Sequence, residues 1–256
     1  MATKLVEYTY DKSVGDCTPT LTPNTITMTK SDSTNGNIVT RTILVDSLPT
    51  KVNFQNNQAL LTVTYFNVSN LTDLGYTFKA CKKLTTVEIS NQTASNLTSM
   101  IHTFYDCYAL TSVKLTNVNF TNSNGVQLQE MCRNCTSLTE FLVTGTIKVN
   151  NFSTAFYNCN KLTNISLTAF DVSSCKIFNS LFDTCTKLET IDISNWDTRS
   201  ATSFYAMFLQ CKALTSLDLR HFNISNVTSI SHMFGFCTNL TSLNIQNWNT
   251  SKIESF

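Results

Sequence analysis

Residues 207–232 read MFLQCKALTSLDLRHFNISNVTSISH, and residues 233–256 follow at once with MFGFCTNLTSLNIQNWNTSKIESF. The second stretch repeats the first in sense and nearly in letters. Tandem units of about 20 to 50 residues build solenoids and related arrays, because one unit cannot bury its apolar face alone. Working outward, the same frame surrounds Cys81, Cys107, Cys135, Cys159, Cys185, Cys211 and Cys237, at intervals of 26, 28, 24, 26, 26 and 26 residues. Position 0 below means this repeat cysteine. Position +3 is leucine in every copy, from Leu84 to Leu240. Position −3 is phenylalanine in all but one, where Cys132 stands. Positions +6 and +8 are apolar throughout, as in Val87 with Ile89 and Leu217 with Leu219.

Two periodicities share each unit. Leu217 and Leu219 are two apart, the spacing of a strand with one face inward. Val227, Ile230, Phe234 and Cys237 are three and four apart, which predicts a short helix with Ser225 or Asn226 as N-cap. Between them stands an aromatic followed by Asp or Asn: Phe170-Asp171, Trp196-Asp197, Phe222-Asn223 and Trp248-Asn249. Such a polar side chain closes a turn by bonding the backbone two residues on. The expected fold is therefore an α/β repeat: a leucine-rich-repeat-like solenoid of about seven 26-residue strand-turn-helix units. Stacked units join their strands into one parallel sheet.

The frame MFxxCxxLTSLDL with F(N/D)(I/T)SNVTSIS resembles the BspA-type leucine-rich repeats, a 26-residue family of bacterial surface proteins. The resemblance covers roughly residues 55–256. It implies a non-enzymatic adhesion or protein-binding module, a setting that similar repeats also fill in bacteriophage particles.

Residues 1–54 follow other rules. The stretches 4–10, 25–30 and 38–45 alternate and are rich in β-formers, and Asn35-Gly36 joins the last two, a hairpin signal. A small antiparallel β module is expected at 1–54, as a cap on the first turn or as an attachment unit. The solenoid is expected at 55–256, with 55–77 a degenerate first turn in which Gln58 holds a leucine position. Residues 117–130, with Asn124-Gly125, carry the irregular spacing. Insertions in solenoids fall in loops, often on a binding face, or reflect relaxed local packing.

Ten cysteines invite disulfide or metal readings. Their period instead places Cys81, Cys107, Cys135, Cys159, Cys185, Cys211 and Cys237 in one inward core ladder of small hydrophobes, reduced in preference to bridged. Cys175 fits the same logic. Cys132 and Cys135 form a lone Cys-x-x-Cys without further ligands, so no metal and no cofactor is expected. Cys17 lies outside the repeats.

The chain of 256 residues is 42% hydrophobic and 14% charged, with net charge +1. That balance argues against a dedicated nucleic-acid binder, and no apolar run suggests membrane insertion. His102, His221 and His232 belong to no catalytic motif, and Asp192 and Asp218 are copies of one exposed repeat position. No enzyme activity is expected. The candidate binding face is the outward strand column Glu88, Lys114, Leu142, Ser166, Asp192, Asp218 and Asn244, suited to sugars or a polar protein surface. Ile245, Trp248, Ile253 and Phe256 form a candidate assembly end, implying a homo-oligomer or a docked partner. The N-terminus shows no apolar secretory run. The resulting expectation is a phage virion component, a decoration, head-fibre or tail-associated protein whose partners are other virion proteins or a host-surface protein or glycan. The alternative is an extracellular bacterial surface adhesin.

Overall fold

The computed structural model describes residues 2–256. The N-terminal strands are β1 (Thr3–Asp11), β2 (Thr20–Thr22), β3 (Met28–Asn35), β4 (Ile38–Val45) and β5 (Lys51–Asn53). The repeats contribute β6 (Leu60–Phe66), β7 (Thr86–Ser90), β8 (Ser112–Phe120), β9 (Val126–Gln127), β10 (Glu140–Asn151), β11 (Asn164–Ser166), β12 (Phe170–Asp171), β13 (Thr190–Asp192), β14 (Ser216–Asp218) and β15 (Ser242–Asn244). The result is a β-solenoid of about seven turns with parallel strands. Strands β6, β7, β8 and β10 stack in parallel order, β11 pairs with β13, and β14 pairs with β15. The sheet is open between β10 and β11 and between β13 and β14.

The expected helix is absent. Among the described residues there is none. A helix sends each N–H to the carbonyl four residues back. Here alternate N–H groups go to the next turn instead. Tyr76, Phe78 and Ala80 donate to the carbonyls of Ile101, Thr103 and Tyr105 at 2.9, 2.9 and 2.7 Å. The residues between them close tight local turns: Lys79 donates to Tyr76 and Cys81 to Phe78, both at 3.1 Å. This wall of turns directs a side chain inward every three or four residues, the same spacing that a helix shows. Its backbone requires left-handed residues at positions −5 and −1 of every unit. Tyr76 and Ala80, His102 and Asp106, and Ser180 and Thr184 all have φ between 51° and 64°. A non-glycine residue there is disfavoured by roughly 1–2 kcal/mol, which the bonds between turns offset.

The core consists of columns running along the stack. At position −3, Phe54, Phe78 and Phe104 stack with ring centroids 5.6 Å apart. The column resumes with Phe156, Phe182, Phe208 and Phe234. Beside it runs the cysteine ladder. Cys81 to Cys211 are fully buried, Cys237 is half-buried, and all ten cysteines are free thiols. Each repeat thiol donates to the carbonyl of the −3 residue one turn back. Cys107 Sγ lies 2.9 Å from Phe78 O, Cys185 Sγ 3.0 Å from Phe156 O, and Cys159 Sγ 3.2 Å from Cys132 O. Thus the phenylalanine carbonyl accepts twice, from its own turn's cysteine N–H and from the next turn's thiol. Burial pushes these thiols up, Cys81 and Cys185 to about 12. Cys175 is likewise buried and pushed up to about 12 by burial.

The aromatic–Asp/Asn corners form as the sequence predicts. Asp171, Asp197, Asn223 and Asn249 each accept the N–H two residues on, at 3.0–3.1 Å. Threonines add a further ladder: Thr85, Thr111 and Thr139 each donate to a carbonyl one turn back.

The N-terminal strands continue the sheet. Strand β1 pairs antiparallel with β4 on one side and with β6 on the other, and β3 pairs with β4 around Gly36. The edge of the first turn is thereby covered, as an exposed strand edge would otherwise remain. Arg41, nearly buried, ties the module together. It donates to Asp16 at 2.6 Å, to Asp32 and to the Tyr10 hydroxyl at 2.7 Å. Cys17 is buried here, and the Tyr8 hydroxyl donates to its carbonyl. The solenoid register reaches back into this region: Phe54 heads the aromatic column, and Cys81 donates to its carbonyl at 3.1 Å.

Candidate binding surfaces

The strand wall presents the expected column. Glu88, Leu142, Ser166, Asp192 and Asp218 are exposed, and Lys114 and Asn244 are half-exposed. Lys114 pairs with Glu140 at 3.3 Å, and Asp218 with Arg220 at 2.8 Å. The Arg220 guanidinium holds the Asp218 carboxyl below its usual range. Asp192 accepts the Ser194 hydroxyl at 2.8 Å. Where the sheet opens between β13 and β14, an open groove of about 710 Å3 runs between Asp192 and Asp218 and reaches Arg220 and His221. The two aspartates thus face one groove, each engaged by a neighbouring side chain.

His221 has a structural task in that groove. The carbonyl at position +8 receives a side-chain N–H from the following corner. Trp196 Nε1 donates to Leu167 O at 3.2 Å, and Trp248 Nε1 to Leu219 O at 2.9 Å. In the intervening turn Phe222 replaces tryptophan and has no N–H. His221, one residue earlier, places its Nε2 at 2.9 Å from Ile193 O. That contact selects the Nε2–H tautomer.

The wall of turns carries a cluster that the strand column does not suggest. At positions −5 and −2 its side chains are Tyr76 and Lys79, His102 and Tyr105, Glu130 and Arg133, Thr154 and Tyr157, Ser180 and Asp183. Tyr76 stacks on His102 with centroids 4.8 Å apart, and Tyr105 meets His102 edge-on at 5.1 Å. Lys79 lies over both tyrosine rings, at 5.2 and 4.9 Å. Arg133 lies over Tyr157 at 4.7 Å and bonds Glu130 at 3.0 Å. Burial holds the His102 imidazole below its ordinary range, against the pull of Glu130 at 3.5 Å. Burial raises the Asp183 carboxyl. Five of the eight tyrosines (Tyr76, Tyr105, Tyr108, Tyr157 and Tyr205) sit between positions −6 and +1. That concentration is the signal in the sequence that points to this wall.

The expected assembly end is exposed at Ile245 and Phe256 and half-buried at Trp248 and Ile253. No helix is long and apolar enough to cross a membrane among the described residues.

No curated protein matches the sequence. Among solved structures, the chain is similar to a leucine-rich repeat protein from Bacteroides ovatus, with 13% identity, a TM-score of 0.28, and coverage of 89% of this chain and 76% of that one. A family described as "Mycoplasma protein of unknown function, DUF285" matches residues 48–144 and 150–256. These two segments hold all seven repeat cysteines and most of the chain, which supports a BspA-like repeat assignment and does not reach the virion setting. The chain belongs to the DUF285 family of repeat proteins.

Proposed function

We propose that the protein is a non-enzymatic scaffold that binds a macromolecular partner on its wall of turns. One observation carries the reading. Over an inward frame that barely varies, positions −5 and −2 vary freely and gather Tyr, Arg, Lys and His into one connected cluster. Tyrosine and arginine are the residues that dominate binding energy at interfaces. They are absent from the strand column, whose flanking arginine, Arg220, is held by its own aspartate. The rigid stack keeps the cluster ordered before binding, which reduces the entropy lost on association.

A second reading rests on the groove between Asp192 and Asp218, which offers carboxylates, hydroxyls and His221 to a small polar ligand. Either surface serves a virion component or a bacterial surface adhesin, the two settings expected from the sequence. The chemistry of binding is the same in both.

The test is an array of proteins and glycans probed with three chains: wild type, Tyr105→Ala/Arg133→Ala, and Asp192→Asn/Asp218→Asn. Loss of the bound signals in the first variant alone is expected. Loss in the second variant alone transfers the function to the groove. An array that no chain binds overturns the reading.

A further inference from the structure

The charges of the solenoid are segregated. Residues 75–83, 101–109, 129–137, 153–161, 179–187, 205–213 and 231–239 form the wall of turns and the corner that follows it. They hold seven lysines and arginines against three carboxylates. The rest of residues 55–256 holds six against nine. The neutral total therefore conceals a basic edge on an acidic body. Lys82, Lys83, Lys161, Lys187 and Lys212 are exposed along that edge, and none of them forms a salt bridge.

The last three stand in consecutive turns, at positions +2, +2 and +1. Bonds between the turns of the wall, from Asn158 N–H to Asp183 O and from Thr184 N–H to Leu209 O, both 2.8 Å, hold such positions roughly 4.8 Å apart, the spacing of hydrogen-bonded strands. Like charges this close repel, and a flexible chain would let them part. The solenoid holds them in a row. A polyanion laid along the edge removes the repulsion and releases its own counterions, the usual source of binding by a basic stripe.

We propose that this edge is a track for an acidic polysaccharide. The proposal deepens the binding-scaffold reading and rests on it. Three features favour a polysaccharide over other polyanions. Side-chain amides and hydroxyls stand among the cations, at Asn134, Asn158, Asn160, Thr186 and Gln210, and match the hydroxyl groups of sugars. Lysine is depleted at protein–protein interfaces, whereas here it is the repeated residue. Single-stranded nucleic acid needs bare aromatic faces for base stacking. The Tyr105, Tyr108 and Tyr157 rings already lie beneath Lys79, Lys82 and Arg133. The exposed rings that remain on the wall beyond them, Tyr205 and Phe236, stand at different positions of two turns and form no continuous stacking platform.

The experiment measures binding of the full chain to immobilised heparin, polygalacturonate and poly-L-glutamate across a salt series. Two variants with equal charge change are compared: Lys161→Glu/Lys187→Glu/Lys212→Glu on the edge, and Lys30→Glu/Lys176→Glu/Lys252→Glu away from it. Thermal melts of both confirm folding, and the corresponding Lys→Gln triples replace any variant that melts early. Both polysaccharides are expected to bind, with affinity falling steeply as salt rises. The edge variant is expected to bind at least tenfold more weakly, and the control variant within about twofold of wild type. Equal losses in the two variants overturn the track. No polysaccharide binding at low salt also overturns it. Preferential binding of poly-L-glutamate, lost in the edge variant, overturns the choice of partner and leaves the binding scaffold standing. If Tyr105→Ala/Arg133→Ala abolishes binding of array proteins while polysaccharides never bind, the scaffold reading survives and this one fails.

Discussion

From Phe156 to Phe234 the aromatic column runs without a break, its rings 5.6, 5.7 and 6.1 Å apart and within 9° of parallel. Between Phe104 and Phe156 the same column is interrupted by Cys132. There the gap is filled from the opposite wall. Position +6, elsewhere Val, Ile or Leu, becomes Phe141, whose ring meets Phe156 edge-on at 4.8 Å. The same two turns break the 26-residue period. Strands β8 and β10 lengthen to absorb the extra residues, and β9 adds a second pairing with β10 at Val149. The regular turns keep their core by repetition, and the irregular turns keep it by compensation between positions far apart in the repeat. Compensation should be more fragile under single substitutions, and substitution tests that difference.

The largest effect is expected at Gly145, where β10 shifts register against β8. Its φ of +102° is closed to other residues, and an added Cβ would lie 2.0 Å from the Val118 carbonyl oxygen. Gly145→Ala should destabilise by about 4 kcal/mol or more. Urea denaturation checks this, and a loss under about 1 kcal/mol would mean that the bulge relaxes freely. The regular turns have no glycine in this role.

Next comes the compensating pair. Phe141→Ala should cost about 3–5 kcal/mol, as for a buried aromatic ring. Cys132→Phe alone inserts a ring where Phe141 already supports Phe156, and overpacking costs roughly 1–3 kcal/mol. Cys132→Phe with Phe141→Val rebuilds the regular column. The double variant should therefore be more stable than the sum of the two single changes by at least about 1 kcal/mol. Additive losses would show that the two positions are independent.

Much of this was legible before the structure, and the exceptions have a common cause. The cysteine ladder, the leucine column, the strand column from Glu88 to Asn244 and the Asx corners follow from residue type at fixed spacing. The expected helix does not form, because the wall of turns reproduces the helical signature by directing side chains inward every three or four residues. Its left-handed positions carry Tyr76, His102 or Ser180 rather than glycine, so no residue announces them. The role of His221 needed the neighbouring turns, since only Trp196 and Trp248 reveal which carbonyl lacks a donor at Phe222. The wall cluster was hidden for the opposite reason. A frame is found by what repeats, and Lys79, Tyr105 and Arg133 occupy positions that do not.

The cysteine ladder offers a finer test within the regular turns. If Cys185 were only a small hydrophobe, Cys185→Ala would be tolerated better than Cys185→Ser, because burying a hydroxyl costs roughly 1–3 kcal/mol. Its thiol, however, donates to Phe156 O at 3.0 Å. A serine hydroxyl can make the same bond, and a net hydrogen bond contributes about 1 kcal/mol. Serine should thus equal or exceed alanine in thermal stability. The reverse order would show that volume alone selects cysteine.

The smallest effect should come from the wall of turns and is one of pH. The groups facing His102 are Tyr76, Lys79, Tyr105, Glu130 and Arg133. Burial is the leading influence, so the folded imidazole takes up its proton less readily than an unfolded one with its ordinary value of 6.5. As pH falls below that value the unfolded chain binds protons that the folded chain refuses, and stability declines. Above it the contribution of His102 is fully present. Asp183 works with the opposite sign. Burial raises its carboxyl above 3.8, so the stability it adds is present below that value and is lost as pH rises through the raised one. Thermal melts of wild type and His102→Gln from about pH 7 to about pH 5 separate the two. The wild type should lose more stability than the variant over this range. Parallel curves would show that Glu130 cancels the effect of burial and that the wall holds its histidine without strain.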